Sequence, residues 1–378
     1  MTITIQHKRD TATNWTSNNP TLSAGEIGVE TDTGKFKFGD GSTAWSSLNY
    51  FEPEAPSGPS QGAVQGSTAG FIAGGHRFDL SPPHNVVINS IDKISFSSDG
   101  NATDQGDLLA VQCSLQGTSS STHGYQAGGG YPGKSNVIQK FAMASTGNAT
   151  DVGDLTGATA SPGNAGGAMS QDYGYFIHGF GPSAVQNNIE KYDFSSDGNA
   201  TDVGDQSYVS QQQFVHSSET DGFITGGIVP GQPDAVAQSI EKFPFSSDAN
   251  AADTSGDLSP GEWRHGASWS TATHGYVAGG RAPPVSPPTA FQTNAIYKYP
   301  FSISSGYGTD VADLTRVVNR NVGVASTTHG YSAGGDPSAS PYSSNVIEKH
   351  CFSSGANATD VGDLVSSRYD SPGGNNQI

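Results

Sequence analysis

Polar and apolar positions along this chain recur with two nested periods. Within short runs they alternate. In the stretch 188–194, Tyr192 and Phe194 fall on one face and Ile189 and Lys191 on the other, which is the pattern of a strand. The runs themselves recur about every 50 residues. Gly-aromatic runs ending mostly in Gly-Gly have first glycines at 70, 124, 174, 222, 275 and 330. Each is followed by a run around Ile-x-Lys, with lysines at 93, 140, 191, 242, 298 and 349, and then by an acidic run of the NATDVGDL kind. One unit therefore predicts four strands. A is a small-residue run such as 266–271, B the Gly-aromatic run, C the Ile-x-Lys run and D the acidic run. The Asp-Gly and His-Gly steps between A and B suit a tight turn with positive φ, and SSDGNA suits the C–D turn.

A four-stranded unit of this size cannot bury both faces alone. Six units stacked radially would bury their aromatic faces against one another, with the small residues and diglycines at the crowded axis. The expected fold is all-β, a six-bladed β-propeller with a small N-terminal β-rich module. The order of hydrophobic run, Gly-aromatic and Gly-Gly over roughly 61–364 resembles the Kelch family. It departs at strand D, where Asp-Val-Gly-Asp stands in place of a Trp. That resemblance implies a fold and no activity. The first copy has an expected strand A near 62–67, so the ring is expected to close by packing. The tail SPGGNNQI (371–378) resembles the start of a copy, 161–168, and reads as a vestigial seventh unit or a closing clasp.

Residues 1–51 do not repeat. Gly25–Gly28, Asp32–Lys37 and Gly39–Trp45 spell Gly-Glu-(apolar)-Gly, Asp-Thr-Gly-Lys-x-Lys and Gly-Asp-Gly-x-Thr-x-Trp in order. This is similar to the N-terminal module of phage tail-fibre and tropism-determinant proteins. The resemblance implies attachment to other virion proteins, a homo-oligomer with a trimer preferred, and anchoring positions Glu26, Asp32, Lys35, Lys37, Asp40 and Trp45. The expected boundaries are 1–51 for the anchoring module, 52–61 for a Pro/Gly/Ser linker, 62–366 for the propeller and 367–378 for a tail.

Charge narrows the partners. The formal net charge is -18, of which the four basic and six acidic residues of 1–52 account for -2. So acidic a surface repels nucleic acid and anionic membranes, and no apolar run approaches a membrane span. Two cysteines, Cys113 and Cys351, define no disulfide framework. No cofactor is expected. Calcium at the Asp-rich hairpins (Asp99, Asn101, Asp104 and Asp107; Asp197, Asn199, Asp202 and Asp205) is the alternative to plain turn chemistry, which is preferred. The recurrent lysines are expected to pair across their own hairpin with strand D acids. His123, His274 and His329 read as turn residues at positive φ. No nucleophile, P-loop or paired-carboxylate motif appears, and the chain is expected not to be an enzyme. The B–C connections alone vary in length and in aromatic content. Recognition residues are therefore expected there: His76, Arg77, Phe78, Tyr131, Phe180, Arg281, Phe291 and Tyr342. The expected function is a virion tail fibre or receptor-binding protein that adsorbs to host-surface glycan or protein. The alternatives are a head fibre or decoration protein, an internal tail connector and, last, a glycan-degrading enzyme.

Overall fold

The computed structural model describes residues 7–50, 65–79, 81, 84–159, 167–179, 186–228, 238–259, 263–282, 291–337, 342–371 and 373–377. Two compact units result, Met1–Ser60 and Gln61–Ile378.

The first unit pairs strand Lys8–Asp10 parallel to Ile27–Glu30, and Ile27–Glu30 antiparallel to Phe36–Phe38. A helix not anticipated from the sequence, Ala12–Asn18, is capped by the Thr11 hydroxyl, which accepts from the Asn14 N–H at 3.3 Å. Its core is Trp15 stacked on Trp45 (centroids 4.2 Å apart) with Leu22. Each position nominated for anchoring has work inside the unit. Glu26 pairs with Lys8 at 2.9 Å, and Asp32 accepts from the Ala12 N–H at 2.8 Å. Lys35 lies over the Tyr50 ring, and buried Lys37 donates to the Trp45 carbonyl at 2.8 Å. Asp40 accepts from the Ser42 and Thr43 N–H groups. These hydrogen bonds hold the Asp40 carboxyl well below its usual range, with the Thr43 hydroxyl foremost.

The second unit is all-β and contains six repeated sheets: five are four-stranded and antiparallel, and the fourth adds a parallel fifth strand, Gly306–Tyr307, to its four antiparallel strands. In chain order from A to D, the second sheet is Gln116–Ser119, His123–Ala127, Ser135–Ala142 and Thr150–Thr159. The third to sixth repeat that order, with A strands Ala168–Met169, Phe214–Ser217, Ala267–Ser270 and Val322–Ala325. The first sheet differs. Its B, C and D strands are Ala69–Phe78, Asn85–Ser95 and Thr103–Asp107, but its A strand is Asn375–Gln377, paired antiparallel to Ala69–Phe71. The expected strand near 62–67 is corrected accordingly. Residues 62–64 lie outside the described residues, and Gly66 bridges to Ser326 of the sixth sheet instead. The tail acts as the clasp. Buried Asn375 donates to the Thr118 and Tyr125 carbonyls of the second sheet, and Asn376 accepts from the Ala325 N–H of the sixth at 2.9 Å.

Neighbouring sheets pack through their aromatic faces. Tyr125 stacks on Phe194, Tyr175 on Phe245, Phe223 on Phe301, and Tyr331 of the sixth sheet on Phe96 of the first. The A strands are neighbours in order, and the sixth also touches the first. The repeated NATDVGD run is a latch between sheets. The N–H of Ala102, Ala149, Ala200, Ala251, Gly308 and Ala358 donates to the strand D Asp carbonyl of the preceding sheet at 2.8–2.9 Å. Asn101, Asn148, Asn199, Asn250 and Asn357 accept from the N–H of that same Asp at 3.0–3.1 Å. Ala102 and Asn101 of the first sheet grip Asp363 of the sixth.

Two expectations about the turns are corrected. Three of the six lysines reach the next sheet rather than their own hairpin: Lys140 to Asp197 and Lys191 to Asp248 at 2.5 Å, and Lys349 to Asp99. The Lys Nζ projects past its own strand D to the C–D turn beyond. His123, His274 and His329 open strand B without positive φ. Instead Ser120, Thr271 and Ser326 hydroxyls accept from their N–H groups and hold the turn. The glycine that follows is required by packing: a Cβ on Gly275 would lie 2.7 Å from the Tyr299 ring.

Candidate functional site

Each sheet has two ends. At one, A–B and C–D turns repeat almost unchanged. At the other, the B–C and D–A connections emerge, and their residues differ from sheet to sheet. Three positions in each of five sheets, all but the third, are built by one recurring geometry among the described residues. Strand B ends in two glycines with positive φ, such as Gly279 at +64° and Gly280 at +97°, which bring the chain against the D–A connection. The next residue, or in the second sheet the one after it, then forms a one-pair bridge to that connection: His76 to Tyr369, Cys113 to Tyr131, Gln211 to Ile228, Arg264 to Arg281 and Asn319 to Asp336. One residue on, just before strand A, the backbone turns left-handed at Ser114, Gln212, His265, Arg320 and Asp370. These residues are linked to each other. Ser114 N–H donates to the Asp370 carbonyl, Asp370 to Arg320, Arg320 to His265 and His265 to Gln212.

The side chains on this frame form distinct groups. His76 stacks on Tyr369 (5.3 Å, 14°), with Tyr131 at 5.4 Å on another side and the Cys113 Sγ 2.9 Å from its Nε2. Burial pushes the Cys113 thiol up to about 12 and keeps His76 low, so this pair stays neutral. Arg320 lies 5.6 Å from the Tyr369 ring and 3.6 Å from Asp370. His265 is buried beside Arg264. Burial, then the charges of Arg320, Arg264 and Arg281, push it down to about 3. Farther out, Phe78 meets Tyr342 edge-on at 5.1 Å and stacks on His84, while Arg77 pairs with Asp79 at 3.1 Å.

Apolar exposure concentrates at the same end. Leu109, Val111, Tyr208, Val209, Val317 and Val365, in or beside D–A connections, are exposed together with Tyr131 and Tyr342. Among the described residues only Phe38 and Tyr307 are comparable elsewhere. Exposed apolar surface gathered at one end marks a contact surface. The cavity enclosed by the A strands is too small for a sugar. Lined by Gly117, His216, Trp269, Asn321 and Asn376 among others, it has about 50 Å³ open to water-sized molecules, room for a few waters. Among the described residues no cluster of three His, Cys, Asp or Glu side chains is placed to hold a metal ion.

Of the nominated residues, His76 and Tyr131 meet, Phe78 and Tyr342 meet, and Arg77 is engaged by Asp79. Arg281 belongs to a separate group with Arg264. Phe180 lies outside the described residues, as does the side chain of Phe291. Reasoning from loop length missed Tyr369, Asp370, Arg264, His265, Arg320 and Cys113. The signal was present in the aligned copies, as variable residues immediately before strand A.

Residues 5–43 match the major tropism determinant N-terminal domain. A protein of Streptococcus pyogenes phage H4489A named Hyaluronoglucosaminidase is 48% identical over 48 residues, 13% of this chain and 13% of that protein. Together the matches support a virion-associated protein. The second overturns the expectation of no enzyme, because the relative carries a glycan-cleaving name.

Proposed function

We propose that this chain is a phage receptor-binding protein that attaches to the virion, as a homotrimer, through its N-terminal module and presents its variable end to host-surface glycan. In this reading the six sheets are the blades of a closed propeller, and the tail is a better placement than the head. The match of residues 5–43 to a tropism-determinant domain carries the proposal, and the variable positions on a repeated frame agree with it. Several weak contacts per particle would gain avidity by factors of about 10² or more. Purified full-length chain is expected to block adsorption of its phage. Tyr131→Ala with Tyr342→Ala is expected to remove the block, and a chain that binds no host cells would sink the reading.

The relative's name favours a second reading, in which the same end hydrolyses a hyaluronan-type glycan. Glycoside hydrolysis generally uses two carboxyl groups, and Asp370 is one carboxylate at this end, 3.6 Å from Arg320. Release of reducing ends from hyaluronan, lost in Asp370→Asn, is its expected result. Absence of release removes this reading and leaves the binding one.

A further inference from the structure

The geometry points to a stacking site for a neutral, glucose-type sugar chain on the first sheet, along a row of rings from Tyr131 to Tyr342; it rests on the receptor-binding reading above. Strand B of the first sheet is ten residues long, where the other B strands have five. The extra length carries it past Gly74 and Gly75 into a hairpin, with His76 opposite Val87 and Phe78 opposite Asn85. His76 and Phe78 are two residues apart on a strand, so their rings share one face. Tyr369 lies across that face. It bridges His76 through its backbone, stacks on the imidazole, and donates from its hydroxyl to Asn85 at 3.2 Å.

Neighbouring sheets supply the ends of the row. Tyr131 of the second sheet reaches His76 at 5.4 Å, and Tyr342 of the sixth meets Phe78 edge-on at 5.1 Å. Both tyrosines are about half exposed, at 53% and 47%, while His76, Tyr369 and Phe78 between them are partly buried. Contacts beneath the row fix the inner rings. The buried Cys113 Sγ lies 2.9 Å from His76 Nε2, and the Phe78 N–H donates to the Ser343 hydroxyl at 3.2 Å. Rings held in place before binding lose little freedom when a ligand stacks on them. A sugar lays its C–H face on such rings and keeps its hydroxyls in water.

The surroundings select the class of sugar. Arg77 pairs with Asp79 at 3.1 Å, and Arg320, over the Tyr369 ring, has Asp370 at 3.6 Å. The two arginines beside the row each face an acid, and a chain with a net charge of -18 repels an anionic glycan. The row measures at most about 17 Å along its contacts, which suits a few consecutive sugar rings. A pyranose with equatorial substituents keeps flat C–H faces clear for stacking, and a furanose has no such face. The aliphatic side chains that would suit a protein partner, such as Leu109, Val317 and Val365, stand in or beside the D–A connections, outside the row. The chain enters this unit at the other end, where Gly66 bridges to Ser326 beside an A–B turn.

The test measures binding of the full-length chain to cello- and chito-oligosaccharides, to inulin as a neutral furanose chain, and to polygalacturonate as an acidic one. At least one of the first two is expected to bind above both of the others, with little change as salt rises. The same oligosaccharide is expected to compete with host cells for the chain. Tyr131→Ala and Tyr342→Ala are each expected to weaken oligosaccharide binding by about fivefold or more. Tyr342→Phe, which keeps the ring, should bind like the parent. Tyr208→Ala, exposed at the same end but outside the row, should do so too. Both Ala variants should melt close to the parent, which separates lost stacking from lost fold. Neutral pyranose chains no better than inulin, while the chain still binds host cells, overturn the site and leave the receptor-binding reading standing. Polygalacturonate as the tightest ligand overturns it, as does undiminished binding in both Ala variants. Host-cell binding that protease treatment abolishes and no oligosaccharide competes with assigns the end to a protein and overturns it too. A chain that binds no host cells removes the reading beneath it.

Discussion

One strand C position shows how far identical placement leaves chemistry open at the scale of a residue. Glu190 and Glu241 occupy equivalent buried sites, each accepting from an N–H and a hydroxyl of the preceding D–A connection, at Thr156 and Ser207. Glu190 also has His178 at 2.7 Å. Burial alone would push both carboxyls up. For Glu190 the His178 bond and the Thr156 donors reverse this and hold it below the ordinary value, while Glu241 stays raised. The two should therefore respond unequally. Glu190→Gln is expected to cost about 1–3 kcal/mol at pH 7, and Glu241→Gln about 0.5 kcal/mol or less, both read from urea midpoints. Because the folded Glu190 value is depressed, its contribution is present above the unfolded carboxyl value. It is lost as pH falls through the folded one. Equal costs for the two substitutions at pH 7 would contradict this assignment. The sequence showed an acid or amide before five of the six lysines; it did not show the partner, which arrives from another sheet.

At the scale of the element, strand periodicity and repeat spacing were legible because they depend on local alternation and on a period copied six times. Strands B, C and D fall where the pattern put them. What local pattern could not reveal was the destination of bonds crossing between copies. NATDVGD looked like turn filler, yet its Asn and Ala residues grip the preceding sheet. Lys140, Lys191 and Lys349 likewise skip their own hairpin. Gly153 tests the latch most directly. Its φ is +155°, and an added Cβ would lie 1.8 Å from the Gly198 carbonyl oxygen of the next sheet. Gly153→Ala should therefore destabilise by about 1–3 kcal/mol through overpacking. Asn199→Ala, which deprives the Asp154 N–H of its acceptor, should cost about 1 kcal/mol. Thermal melts of the two single variants and the double variant should show coupling, since both sit on the same interface. Strict additivity would mean that the two contacts act independently.

The whole molecule depends on how its ends meet. The described contacts that join the sixth sheet to the first are long-range in sequence, Lys349 with Asp99, Asn101 with Asp363 and Arg368 with Asp92, and Asn375 joins the first sheet to the second. The clasp was only half legible. The likeness of 371–378 to the start of a copy suggested it, but the run 62–67 offered a competing first strand, and composition could not choose between them. Geometry favours the tail because Asn375 and Asn376 satisfy buried groups on both neighbouring sheets at once. Removing residues 371–378 should therefore do more than shorten a terminus. It exposes the B strand Ala69–Phe78 as an unpaired edge. It also leaves the Ala325 N–H without its acceptor. Because the first and sixth sheets then lose a shared wall, the cost should spread to both, and hydrogen exchange should quicken in Ala69–Phe78 and Val322–Ala325 before the third and fourth sheets. A peptide of residues 371–378 added in trans should restore part of the protection if the strand supplies pairing alone. Uniform protection in the truncated chain would show that packing closes the array without it.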